Sequence, residues 1–175
     1  MKTSCIVIVG KPGAGKSSIG SELARRIGGA YISLGAFMRE MMHIPDPHIG
    51  VDKNFVYEVL QKYLTEKKVF GTLVLDCHPY PKDDLEALQA FMRKPSLDLR
   101  AVIHVTADDK VALNRLKKRL RPGQTCEERL KYFNDNRHFI DELLQHKLSI
   151  HIENNVDFGD ASAFGDIAEE ISRKL

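Results

Sequence analysis

The eight residues Gly10-Lys11-Pro12-Gly13-Ala14-Gly15-Lys16-Ser17 fit the pattern G-x-x-x-x-G-K-[ST] at every fixed position. Glycines at these places let a backbone curl around an anion, so that successive amide N–H groups converge on a phosphate. The lysine of such a loop reaches the β- and γ-phosphates of a nucleoside triphosphate, and the hydroxyl after it ligates Mg²⁺. The chemistry needs a strand before the loop and a helix after it. Cys5-Ile6-Val7-Ile8-Val9 is apolar and β-branched, as a buried strand is, and Ile19, Leu23 and Ile27 recur at helical spacing. Gly10, Pro12, Gly13, Ala14, Gly15, Lys16, Ser17 and Ser18 are therefore expected to bind ATP.

A second segment, Leu73-Val74-Leu75-Asp76, reads as an apolar strand ending in an acid. An acid at that place can hold Mg²⁺ through water opposite the loop hydroxyl, which makes Ser17 and Asp76 the expected metal pair. The guanine-reading tetrad N-K-x-D and the transporter signature L-S-G-G-Q are both absent from the sequence. Small phosphoryl-transfer enzymes are the class that remains. Such transfer needs alignment, water exclusion and positive charge around the moving group. Arg129 is a candidate for that charge. It falls in the first turn of a helix opened by Thr125 and Glu128, where a cation opposes the helix dipole and a nearby phosphate would explain it.

The elements that must position these residues alternate. Strand-like runs are Cys5–Val9, Ala30–Ser33, Thr72–Asp76, Ala101–Val105 and Leu148–Ile152. Helical stripes lie between them: Val56/Val59/Leu60/Tyr63/Leu64 after an Asp52 cap, Leu85/Leu88/Met92, and Leu113/Leu116/Leu120. A long helix is expected from Thr125 through Leu130, Phe133, Ile140 and Leu144, and a last one through Phe164, Ile167, Ile171 and Leu175. This order predicts an α/β fold, with helices on both faces of a five-stranded parallel sheet and ligands at the carboxyl ends of the strands.

Composition adds limits. The 175 residues suit one domain with a real core, and the net charge of +2 argues neither for nor against a polyanion partner. The odd trio Cys5, Cys77 and Cys126 lacks C-x-x-C spacing, which suits a reducing compartment and offers no zinc site. The first apolar run is too short for a signal peptide and no run is long enough to span a membrane, so a cytoplasmic protein with no membrane partner is expected. Met38, Met41 and Met42 read as core filling, and the seven histidines show no metal-ligand spacing.

The order of motifs resembles the adenylate kinase/nucleoside monophosphate kinase family across nearly the whole chain. Gly10 to Lys16 matches the family's G-x-P-G-[SA]-G-K, proline included, and Ile32-Ser33-Leu34-Gly35-Ala36-Phe37-Met38-Arg39 is similar to its acceptor segment I-S-T-G-D-x-x-R. Asp76-Cys77-His78-Pro79-Tyr80 stands where the family has a D-G-F-P-R-like segment. The resemblance implies a three-layer α/β/α P-loop kinase domain over 1–175, with an acceptor-side insert at about 34–68 and a vestigial lid at about 120–126. It implies Ser33, Gly35 and Arg39 at the acceptor, Arg119 near the base of ATP, and Arg119, Arg121 and Arg129 with Lys16 around the transferring group. The remainder of the basic run Arg115–Arg121 reads equally well as a solvated helix end.

Departures fall on the acceptor side. Leu34 and Ala36 replace a threonine and an acid, Tyr80 replaces a phosphate-gripping arginine, and only Pro122-Gly123-Gln124 separate Arg121 from Thr125. His78 and Tyr80, close to Asp76 in sequence, are candidate acceptor contacts. His78 doubles as a candidate base, against the reading of an ordinary loop histidine. The expected partners are ATP and a small acceptor, with Mg²⁺ as cofactor, acting as a monomer. A nucleoside monophosphate is the leading acceptor. A hydroxyl on a metabolite, a modified nucleoside or a nucleic acid is the alternative, and an ATP-binding regulatory domain without turnover is a third. The D-x-D of shikimate kinase-like proteins and the D-R-[YH] of thymidylate kinase-like proteins are both missing.

Overall fold

The computed structural model describes residues 2–44, 51–69, 71–77, 82–118, 125–156 and 160–175. Its strands are β1 (Thr3–Val9), β2 (Ala30–Ser33), β3 (Thr72–Asp76), β4 (Leu97–Thr106) and β5 (Ser149–Glu153). They form one sheet of five in the order β2-β3-β1-β4-β5, and every pairing is parallel. The helices are α1 (Lys16–Arg26), α2 (Leu34–Met41), α3 (Lys53–Glu66), α4 (Lys82–Met92), α5 (Asp109–Lys117), α6 (Cys126–Asn136), α7 (His138–Leu143) and α8 (Ala161–Lys174).

Period-two alternation divides each strand between two cores. Cys5, Val7 and Val9 point to one face with Leu73, Leu75 and Val102, where they meet Phe37 and Met38 of α2, Leu60 of α3, Leu88 and Phe91 of α4, and Phe133 and Ile140 of α6 and α7. Ile6, Ile8, Val74, Ala101, Ile103, Ile150 and Ile152 face the other way, against Ile19 and Leu23 of α1 and Ala168 and Ile171 of α8. Apolar residues run nearly unbroken through β1 because neither of its faces meets water.

All five expected strands are present, and the three layers of the expected fold with them. β4 starts earlier than its apolar run, and its register against β1 shifts at Arg100. The helix expected from Thr125 to Leu144 opens on the predicted cap: Thr125 Oγ1 accepts from Glu128 N, and the Glu128 carboxylate accepts from Thr125 N, each at 3.1 Å. It is interrupted at Arg137 and continues as α7. Met38 is buried and Met42 packs on the core, whereas Met41 is exposed, one turn on from Met38 but on the solvent side.

Candidate functional site

At the carboxyl ends of β1, β2 and β3 lies a cleft of about 380 Å³. Its floor is the loop between β1 and α1. Gly10, Gly13 and Gly15 all have positive φ, at 140°, 82° and 91°, and a Cβ on Gly10 would stand 1.9 Å from the Val105 carbonyl oxygen. Glycine at position 10 is thus forced both by conformation and by the close approach of β4. Pro12, Gly13, Gly15, Lys16, Ser17 and Ser18 line the cleft, while Gly10 and Ala14 are buried behind it.

Lys16, the first residue of α1, is 5 % exposed, and its Nζ donates to the carbonyls of Gly10 (2.8 Å) and Lys11 (3.0 Å). Burial lowers its pKa, the Asp76 charge partly restores it, and the Arg129 charge lowers it further. The influence of Arg129 on Lys16 crosses the cleft that both line. That concentration of positive charge suits an oxyanion.

Asp76 ends β3 beside Ser33, its register partner on β2. Ser17 Oγ donates to Asp76 Oδ2 at 2.9 Å, and Asp76 Oδ1 is buried with no hydrogen-bond partner among the described residues. A hard, all-oxygen pair with one unsatisfied carboxylate oxygen fits a Mg²⁺ ion. Ser17 and Asp76 are the residues that would hold it.

Ser33, Gly35 and Arg39 line the same cleft on the side of β2 and α2. Ser33 Oγ also caps α2, accepting from Ala36 N at 3.5 Å, which is long for such a bond. Arg39 folds back over the helix start, so that a Cβ on Gly35 would stand 3.3 Å from Arg39 Nη1. The cleft therefore brings together the loop, Ser33, Gly35, Arg39, Asp76 and Arg129. His78, Tyr80, Arg119 and Arg121 lie outside the described residues.

Sequence reasoning passed over other residues of the site. Tyr31 Oη donates to Asp76 Oδ2 at 3.0 Å. Lys53 and Asp84, from the first turns of α3 and α4, pair at 3.4 Å with each side chain only 10 % exposed. Burial is the main cause that raises the Asp84 carboxyl to about 6, against the pull of Lys53. Arg115, for which a solvated helix end was an equal reading above, is 5 % exposed. Its Nη1 donates to the carbonyls of Gly13 and Asn154, both at 3.1 Å. The hydrophobic spacing of its neighbours Ala112 and Leu116 carries the one sequence signal that it faces inward.

The family model described as AAA domain matches residues 6–137. An adenylate kinase of Mycobacterium sp. (strain MCS) is 30 % identical over 145 residues, covering 74 % of this chain and 80 % of the relative. A deoxyadenosine kinase structure from M. mycoides superposes with a TM-score of 0.61 at 17 % identity, covering 98 % of this chain and 100 % of that one. A shikimate kinase structure from Acinetobacter baumannii gives 0.63 at 19 % identity, covering 99 % and 92 %. These two superpositions establish the fold.

Proposed function

This chain belongs to the AAA-domain family, as a P-loop kinase with adenylate kinase among its relatives, and we propose that it transfers the γ-phosphoryl group of ATP to a nucleoside monophosphate. One observation carries the choice of acceptor. Among the described lining residues, five side chains are cationic (Lys16, Arg39, Lys53, Arg115, Arg129) and two are acidic (Asp76, Asp84). A site so weighted favours two phosphorylated ligands over one phosphorylated ligand and a neutral alcohol. A phosphate acceptor is already anionic and needs no general base.

In this reading the loop amides and Lys16 hold the β- and γ-phosphates, Arg39 grips the acceptor phosphate, and Arg129 faces the group in flight. Bound Mg²⁺, held by Ser17 and Asp76, would neutralise phosphate charge. Residues at about 34–68 form the acceptor-binding insert and those at about 120–126 a shortened lid, with Arg119 and Arg121 at its border. His78 and Tyr80 complete the acceptor side.

ATP consumption with Mg²⁺ against a panel of ribo- and deoxyribonucleoside monophosphates, beside a no-acceptor control, tests the proposal. Turnover with one or two of them is expected, and only the control rate throughout would overturn it. A second reading, transfer to a hydroxyl, draws on Asp84: a carboxylate raised to about 6 is a usable base near neutral pH. Strong phosphorylation of a neutral alcohol would favour that reading.

A further inference from the structure

We propose that Tyr31 is a positioning residue for the metal-facing carboxylate, a role that rests on the phosphate-loop reading of this cleft and not on the identity of the acceptor. Tyr31 Oη and Ser17 Oγ donate to the same oxygen, Asp76 Oδ2, at 3.0 and 2.9 Å. With both protons on Oδ2, the carboxylate cannot rotate without losing two hydrogen bonds. Oδ1, buried and without a hydrogen-bond partner among the described residues, is left as the oxygen that would serve an ion or its bound water. Ser17, its proton committed to Asp76, keeps its lone pairs for the same ion. Tyr31 thus orients an expected metal-holding group without touching the ion.

The fold makes room for this contact. In the β2–β3 register Tyr31 stands opposite Val74, and Ser33 opposite Asp76, so the phenol must reach forward along the sheet to meet the carboxylate. It does so across α1 at Gly20, where a Cβ would come 2.8 Å from Tyr31 Cε2 and 3.0 Å from Ile8 Cδ1. Any side chain at position 20 would push the ring.

The ring and the hydroxyl have separable duties, and Tyr31→Phe removes only the second. Mn²⁺ titrated into the protein–ADP complex, followed by electron paramagnetic resonance, is the direct readout. Tyr31→Phe should weaken Mn²⁺ about 10-fold, with ADP affinity in EDTA and the melting temperature close to wild type. Gly20→Ala, which keeps the hydroxyl and displaces the ring, should weaken Mn²⁺ in the same way. Because Tyr31 acts through Asp76, Tyr31→Phe added to Asp76→Asn should cost no further metal affinity. Wild-type Mn²⁺ affinity in Tyr31→Phe, or losses that add in the double variant, would overturn the role of Tyr31. Absence of ADP binding by the wild-type protein would instead overturn the phosphate-loop reading on which it rests.

Discussion

Asn154 and Arg115 together tie down the phosphate loop. Asn154, fully buried just beyond β5, donates from Nδ2 to the Ala14 carbonyl at 2.7 Å, and its own carbonyl accepts from Arg115 Nη1 at 3.1 Å. The Gly13 carbonyl accepts from Arg115 Nη1, and that of Val156 from Arg115 Nη2. These bonds engage the Gly13 and Ala14 carbonyls within the protein and fix the course of the loop. Asn154→Ala removes a buried partner from Ala14 and should cost about 1–3 kcal/mol of stability, with weaker ADP binding. Chemical denaturation and calorimetric titration would check both. Loss of stability with unchanged ADP affinity would mean that these bonds do not shape the loop.

Glycine positions divide sharply. Gly10→Ala drives a Cβ into the Val105 carbonyl and should abolish folding or nucleotide binding. Gly28 also has positive φ, at 64°, but nothing stands within 4 Å of an added Cβ. Gly28→Ala should therefore cost about 1–2 kcal/mol from backbone strain alone, with ADP binding intact. Equal behaviour of the two variants in thermal melts would contradict this account.

Arg129 stands in the first turn of α6, where it opposes the helix dipole, and its charge is felt at Lys16. A charge spent on transfer rather than on binding gives a distinct kinetic signature. Arg129→Ala should lower kcat by about 10²-fold or more and leave the Kd for ATP within a few-fold. Arg129→Lys should recover little, because a point charge cannot replace a bidentate fork. A variant that loses ATP affinity and keeps kcat would place Arg129 at ground-state binding.

Only Pro122-Gly123-Gln124 separate Arg121 from the Thr125 cap; in the proposed reading these residues are the shortened lid, which would exclude water poorly. ATP should therefore be hydrolysed without acceptor at a rate above buffer, measured as phosphate release with Mg²⁺. Lys16→Ala should return that rate to background. A wild-type rate equal to buffer would show that water is kept out by other means.

What the sequence made legible is local. The loop Gly10–Ser17, the five strands and the Thr125–Glu128 cap each arise from neighbouring residues whose types alone restrict the backbone. Residues that complete the cleft from a distance were not legible. Tyr31 looks like one more aromatic in a short strand until β2 is set beside β3 and its hydroxyl meets Asp76. Arg115 sits in a run of cations that suits a helix end, and only the return of β5 brings Asn154 to it, 39 residues later in the chain. The break at Arg137 carries no proline or glycine to announce it.

Asp84 gives a pH test with a defined sign. Its carboxyl is raised from 3.8 to about 6, mainly by burial, so the folded chain binds its proton more tightly than the unfolded chain does. The stability it contributes is fully present below about pH 3.8 and is lost as pH rises through about 6. Asp84→Asn cannot titrate there. The melting temperature of the wild type minus that of the variant should accordingly fall as pH is raised across that window, and level off above it. A difference that stays flat would mean that Lys53, 3.4 Å away, already holds the carboxylate charged in the folded state. A difference that rises would mean the pair stabilises the ionised form outright. Either result would also remove the raised pKa that favours Asp84 as a base near neutral pH, and so weaken the physical support for a hydroxyl acceptor.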